Sequence, residues 1–260
     1  MEQDEVYLID MWRVFAREWR WFLAGLALML AGAFAVAHTA KPRYEADAWI
    51  LIGQVGTAPG GQDPRVEPFA RVLDRLQTMA FQNQVIASLG LALDGPEAKL
   101  YRGSFKLEPS PYAGLVKFSL RAASSAQAAA LANATVTQLQ AIHHALEATP
   151  MRLAKARLDQ LDAGLQAAQA ERERLQQAGE KGPDAALSGM LLSMRNTEIR
   201  NLQQARSDLV ERMSPTYTYE TSMPWPPYVP DVPVSPNRTL IWGMGALLGI
   251  GLGLFAAIAR

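Results

Sequence analysis

Two uninterrupted apolar runs frame every other pattern in the chain. Trp21 to Ala40 contains no Asp, Glu, Lys or Arg, and neither does Leu240 to Ala259. About 20 residues rising ~1.5 Å each just cross a hydrocarbon core of about 30 Å, so each run predicts a membrane-spanning helix. Trp12, Trp19 and Trp21, with Arg13, Arg17 and Arg20, lead into the first, and Trp242 lies near the start of the second. Rings and snorkelling guanidinium groups favour the headgroup layer. Val6, Ile9, Trp12, Phe15 and Trp19 recur every three or four residues, which predicts an amphipathic lead-in helix over 1–20. A cleaved secretory signal, with Ala35-Val36-Ala37 as its small-residue site, competes for the first run. That run is longer than the usual apolar region of about 7–15 residues, so retention is the expectation.

Between the runs the period changes several times. After Pro42, Tyr44, Ala46, Ala48, Ile50 and Ile52 alternate with Glu45, Asp47, Trp49 and Leu51, a strand pattern. Gly53 to Pro64 is a Gly/Pro-rich loop. One helix is then expected, with Pro68 in its first turn, Gly90 past its end, and Phe69, Val72, Leu73, Leu76, Met79 and Ile86 as its buried stripe. A short helix follows over 96–101. Phe105 and Leu107, then Val116, Phe118 and Leu120, predict a hairpin of strands around Pro109-Ser110-Pro111.

Ser124 and Gln127 form a capping-box pair ahead of an Ala-rich helix, which Pro150 is expected to interrupt or kink. Two helices separated by Gly179 to Pro183 come next. Leu158, Leu161, Leu165, Ala168 and Leu175 in one, and Leu192, Ile199, Leu202, Leu209 and Met213 in the other, keep near-heptad spacing. An antiparallel helical hairpin with arms of roughly 40 Å is the expectation, and Arg172, Arg195 and Arg206 fall near its seams. Thr216 to Thr221 alternates like a last strand returning to the sheet. Pro224, Pro226, Pro227, Pro230, Pro233 and Pro236 then remove backbone donors and fix φ. They predict a stiff, polyproline-like strut that runs through Asn237 and Arg238 into the second span.

Composition narrows the function more than the fold. Lys plus Arg and Asp plus Glu number 25 each, with no basic run, which argues against a nucleic-acid partner. The absence of cysteine excludes disulfides, thiolate metal sites and a Cys nucleophile. No Gly-x-x-x-x-Gly-Lys-Ser/Thr loop, Gly-x-Ser-x-Gly elbow or Ser-x-x-Lys pair occurs, and no carboxylate pair sits in a recognisable catalytic context, so neither an enzyme nor a cofactor is expected. His38, His143 and His144 read as solvated positions, and Arg65, Arg71 and Arg75 as helix-surface charge. Gly245, Gly249 and Gly253 are four apart and share one face of the second span, a surface for close helix approach within or between subunits. Gly25 and Gly32 offer an opposing notch. Arg13, Arg17, Arg20 and Arg260 on the terminal sides, against Lys41, Arg43 and Arg238 on the loop side, favour cytoplasmic termini by a small margin.

Taken together, the chain resembles the polysaccharide co-polymerase, or Wzz-type chain-length determinant, family. The resemblance rests on Arg43-Tyr-Glu-Ala-Asp-Ala48 opening a strand, the helix Ala128-Ala-Ala-Leu-Ala-Asn133, and Pro233-Val-Ser-Pro-Asn-Arg238 ahead of a terminal span, the last being the most specific. It implies an α+β membrane protein: a cytoplasmic lead-in (1–20), a first span (21–40), a periplasmic α/β base domain (41–123), long helices with a protruding hairpin (124–213), a return strand and strut (214–238), and a second span (239–259). Such proteins are inner-membrane homo-oligomers that regulate surface polysaccharide length without enzymatic activity, acting with a polymerase and the growing glycan. Because the sequence ends at Arg260, a member without a fused kinase is expected. A tyrosine kinase or outer-membrane exporter, where one takes part, would be a separate polypeptide. The six prolines, Asn237, Arg238 and the three glycines are the expected structural and oligomerisation residues. The competing reading is a two-span periplasmic adaptor or sensor.

Overall fold

The structure, a computed structural model, describes residues 8–56, 63–179 and 185–258, with side chains over 19–56, 63–177 and 187–255. Val6, parts of the predicted 53–64 loop and 179–183 turn, and the side chains of Ile9, Trp12 and Phe15 therefore lie outside the described residues. Two compact units divide the chain: Met1–Ala46, Arg121–Ala128 and Val229–Arg260 form one, Asp47–Leu120 and Ala129–Tyr228 the other.

The first unit holds both apolar helices. Lead-in and first run are a single helix, α1 (Leu8–Thr39), and the second run is α7 (Arg238–Ile258). Trp19–Thr39 and Arg238–Phe255 are each long and apolar enough to cross a membrane, and a helix satisfies its own backbone there.

A three-stranded sheet has the order β1-β3-β2, with β1 at Tyr44–Leu51, β2 at Lys106–Ser110 and β3 at Leu115–Ala122. β2 and β3 pair antiparallel from Lys106↔Ser119 to Ser110↔Leu115. A single 3-10 turn, Pro111–Ala113, joins them and closes on Gly114 at φ 65°, a conformation only glycine adopts freely. Pro109 sits inside β2, an edge strand, where a missing donor is tolerated. The alternation read from the sequence holds: Ala46, Ala48 and Ile50 of β1 and Val116, Phe118 and Leu120 of β3 are buried. In the second unit Ile50, Phe118 and Leu120 share the buried set with Val72, Leu76, Ile86, Tyr101, Leu131 and Leu139.

The helix expected after Pro68 is two helices, α2 (Phe69–Gln77) and α3 (Met79–Ser88). Thr78 breaks it by turning extended, at φ −66° and ψ 140°, and its Oγ1 accepts the Phe81 amide at 3.3 Å as the cap of α3. A short hydroxyl side chain offers the backbone this alternative to helix continuation. The break resets the helical phase, so Met79 is 62% exposed rather than buried, and Phe81 and Val85 take the inward positions. Gly90 ends α3 at φ 68°, and α4 spans Pro96–Ser104.

α5 is one 55-residue helix, Ser125–Gly179, with Pro150 inside it, so the expected interruption is absent. A missing donor and its clash cost about 3 kcal/mol locally, and buried residues flank the site: Leu139 and His143 before it, Ala154 and Leu161 after. Ser124 Oγ accepts the Gln127 amide at 3.2 Å, and Gln127 Oε1 takes the Ala123 amide rather than that of Ser124. α6 (Ala185–Arg212) returns antiparallel: Asp162 meets Arg206 at 2.5 Å, and Gly164 faces the Leu202 methyls. Arg195 pairs with Glu198 of its own helix, so two of the three seam arginines have carboxylate partners.

After α6 no continuous strand forms at 216–221. The return segment runs antiparallel to β1 and its extension through isolated bridges: Gln54↔Tyr219, Leu51↔Ser222 and Asp47↔Tyr228 in the second unit, Arg43↔Ser235 in the first. Most of these exchange two backbone hydrogen bonds of 2.8–3.0 Å. Pro224, Pro226, Pro227, Pro230 and Pro233 fall between bridges, where their missing donors prevent a ladder.

Candidate functional site

The two spans meet through glycine. A Cβ on Gly245 would lie 2.7 Å from Ala33 Cβ, and one on Gly249 would lie 2.8 Å from Leu26 Cδ1 and 3.2 Å from Leu26 Cα. On Gly253 it would lie 2.8 Å from the Phe22 carbonyl oxygen, and on Gly25 3.1 Å from Gly253 Cα. Without these hydrogens-only positions the backbones could not approach, and close packing is what joins helices where lipid supplies no hydrophobic drive. The approach is within one chain. Gly32, Gly243 and Gly251 face nothing within 4 Å. Phe34 and Trp242 add an edge-on contact at 6.4 Å.

Asn237 starts α7: its Oδ1 accepts the Leu240 amide at 3.2 Å and its carbonyl the Ile241 amide at 3.0 Å. An Asn ahead of an apolar run is an N-cap signal, and it gives Asn237 a definite task. The Ser235–Pro236 peptide before it is cis.

In the second unit the return segment is fastened by a buried polar chain that the sequence reading missed. The Gly53 amide donates to Thr221 Oγ1 at 2.8 Å. His143 Nε2 faces Glu67 Oε2 at 3.4 Å, and a carboxylate oxygen only accepts, so Nε2 carries the ring proton. Nδ1 of the neutral ring is then the acceptor, and the Thr221 hydroxyl donates to it at 2.5 Å. Arg75 closes the chain by donating to both Glu67 oxygens at 2.9 and 2.7 Å. Gln140 Nε2 also donates to the Thr221 carbonyl at 2.9 Å.

Burial lowers the His143 pKa, against the opposing pull of Glu67, and keeps the imidazole neutral. Burial alone would raise Glu67, but Arg75 and His143 outweigh it and hold the carboxyl below its ordinary range. His143 is 1% exposed, and Glu67 and Thr221 are 2% exposed each. His143 is therefore a buried position, not a solvated one, and Arg75 is more than surface charge. The signal was available: Ala132, Val136, Leu139 and His143 follow at helical spacing, so the imidazole continues a buried stripe.

A Thr-His-Glu order suggests a nucleophile relay, but a Cβ on Gly53 would lie 2.6 Å from the Thr221 amide nitrogen, which leaves no room beside the hydroxyl for a substrate. The chain of bonds fastens the return segment to α5.

Residues 4–92 match the Wzz family model, described as "Chain length determinant protein". Over that stretch, about a third of its length, the chain is similar to the Wzz family. The Wzz match takes in α1, β1, α2 and α3, and leaves the six prolines of the return segment and the α7 glycines outside it. A full-length bacterial polysaccharide co-polymerase is structurally similar at 16% identity, with 98% of this chain and 97% of that one covered and a TM-score of 0.44. A fragment of WzzB, the polysaccharide co-polymerase from Salmonella Typhimurium, is similar at 13% identity over 75% of this chain and 100% of that one, with a TM-score of 0.32. No curated protein matches the chain.

Proposed function

We propose that this chain is a non-enzymatic regulator of surface polysaccharide length, anchored in the bacterial inner membrane by α1 and α7. The observation that carries the reading is the chain-length-determinant match over residues 4–92, in a chain whose terminal helices are both fit to span a bilayer. In this reading both termini are cytoplasmic and the region between the spans is periplasmic. Several copies assemble and present the α5/α6 hairpins as a repeated surface to a glycan polymerase and the growing polymer. Regulation of this kind requires position and not bond chemistry. The glycine-lined helix pair brings the chain's two anchors together, and Asn237 and the proline segment set where the second begins.

The assembly is tested by crosslinking native membranes and capturing a tagged full-length chain. Products at multiples of 28.4 kDa, with the polymerase captured alongside, are expected. A chain that stays monomeric at every crosslinker dose and captures no polymerase would overturn the scaffold reading and leave an adaptor or sensor role.

A further inference from the structure

Immediately outside the buried chain of hydrogen bonds lies a second cluster. His144 follows His143 on α5, and Glu220 precedes Thr221 on the return segment, so the bond between the inner pair holds the outer pair face to face. Glu147, three residues beyond His144, lies on the same side of α5. His144 Nδ1 is 2.9 Å from Glu147 Oε1, and its Nε2 is 3.5 Å from Glu220 Oε2. One donor atom from each residue falls within 4.8 Å of the other two. All three line a groove of about 820 Å³.

We propose that His144, Glu147 and Glu220 bind a divalent transition-metal ion. The donor set selects the class: one imidazole among carboxylates suits zinc and its neighbours, whereas calcium takes six to eight oxygens and magnesium dehydrates reluctantly. The carboxylates also gain from a dication. Glu147 is only 13% exposed and its carboxylate lies within 4.8 Å of that of Glu220, so a dication between them relieves like-charge repulsion. The ligand bonds need about 2.0–2.2 Å. Glu220, 70% exposed, and the exposed His144 have the freedom to close that distance. Water in the groove completes the coordination. The bound ion ties the return segment to α5 from outside, next to the buried tie through Thr221 and His143.

The test uses the full-length chain in detergent micelles, stripped with EDTA and titrated calorimetrically with zinc chloride. One saturable site per chain is expected, with affinity falling roughly tenfold or more in His144→Ala and in Glu220→Gln. His38→Ala, which removes the other exposed imidazole, should bind as the parent does. Metal-free thermal unfolding should be unchanged in both surface variants, and a fixed zinc concentration should raise the unfolding temperature of the parent and of His38→Ala by more than that of either surface variant. No saturable binding, parental affinity in both variants, or equal affinity for calcium would overturn the proposal. The first of these would leave the contacts of His144 with the two carboxylates as the cluster's whole role.

Discussion

Gly253→Ala adds one methyl group where the backbone of α1 already stands. Its Cβ would lie 2.7 Å from Phe22 Cδ2, 2.8 Å from the Phe22 carbonyl oxygen and 3.2 Å from Phe22 Cα. The ring can rotate away, but the carbonyl and Cα move only with the helix. Relaxed contact needs about 3.5–4.0 Å, so α1 and α7 must separate locally by on the order of 0.5–1 Å, which forfeits a quarter to a half of each dispersion well at the facing atoms. Overpacking of this kind costs about 1–3 kcal/mol. The better helix propensity of Ala returns at most about 1 kcal/mol, so the full return leaves a net loss of roughly 0–2 kcal/mol. Gly251→Ala is the matched control: it has the same propensity gain and nothing within 4 Å of its Cβ, so it should be neutral or slightly stabilising. The assay is reversible unfolding of the full-length chain in micelles titrated with a denaturing detergent, both variants measured beside the parent. Equal stability of the two variants, or a loss confined to Gly251→Ala, would refute the reasoning.

Three further outcomes follow from the second unit. Thr221→Val keeps the shape but strands the Gly53 amide and His143 Nδ1. Each unpartnered group costs about 1–3 kcal/mol, visible as a lower denaturant midpoint that Thr221→Ser should largely restore. The His143 and Glu67 pKa values are both depressed on folding, so the unfolded chain binds more protons and stability falls with acid. The fall should begin as pH drops through about 6.5 for His143 and continue below about 4.5 for Glu67, their ordinary values. His143→Gln should flatten the upper part of that profile, and an unchanged profile would count against the buried neutral imidazole. Pro150→Ala should raise the unfolding temperature, by the equivalent of up to about 3 kcal/mol, because it supplies the donor missing from an unbroken α5.

What could be read from the sequence followed residue spacing. Ala46, Ala48 and Ile50, or Leu158, Leu161 and Leu165, announce a strand face and a helix seam because burial repeats with the backbone period. Thr78 shows where that logic stops. A single hydroxyl that caps the next helix outweighs an otherwise continuous helical pattern, and nothing in the period reveals it. Pro150 errs in the opposite direction, since flanking packing lets the helix run through a residue that local preference alone would use to end it. The return segment was legible as extended, but its partner was not. Six prolines state what the chain cannot do, whereas the bridges to Arg43, Asp47 and Leu51 depend on contacts 171 to 192 residues apart in sequence. His143 continues the stripe of Val136 and Leu139 and is buried with them, whereas His144, one position on, faces solvent. Glu67, Thr221 and Gly53 carry no mutual signal in sequence, because their meeting is made by tertiary structure alone.

The central claim is that the chain sets polymer length without forming the polymer's bonds. The most direct measurement compares surface glycan from cells lacking the gene with glycan from cells in which it is restored, resolving the length ladder and quantifying total polymer sugar on the same samples. The account predicts that loss of the chain abolishes or shifts the preferred length while polymer continues to be made. An unchanged ladder, or the disappearance of all polymer when only this chain is removed, would contradict it.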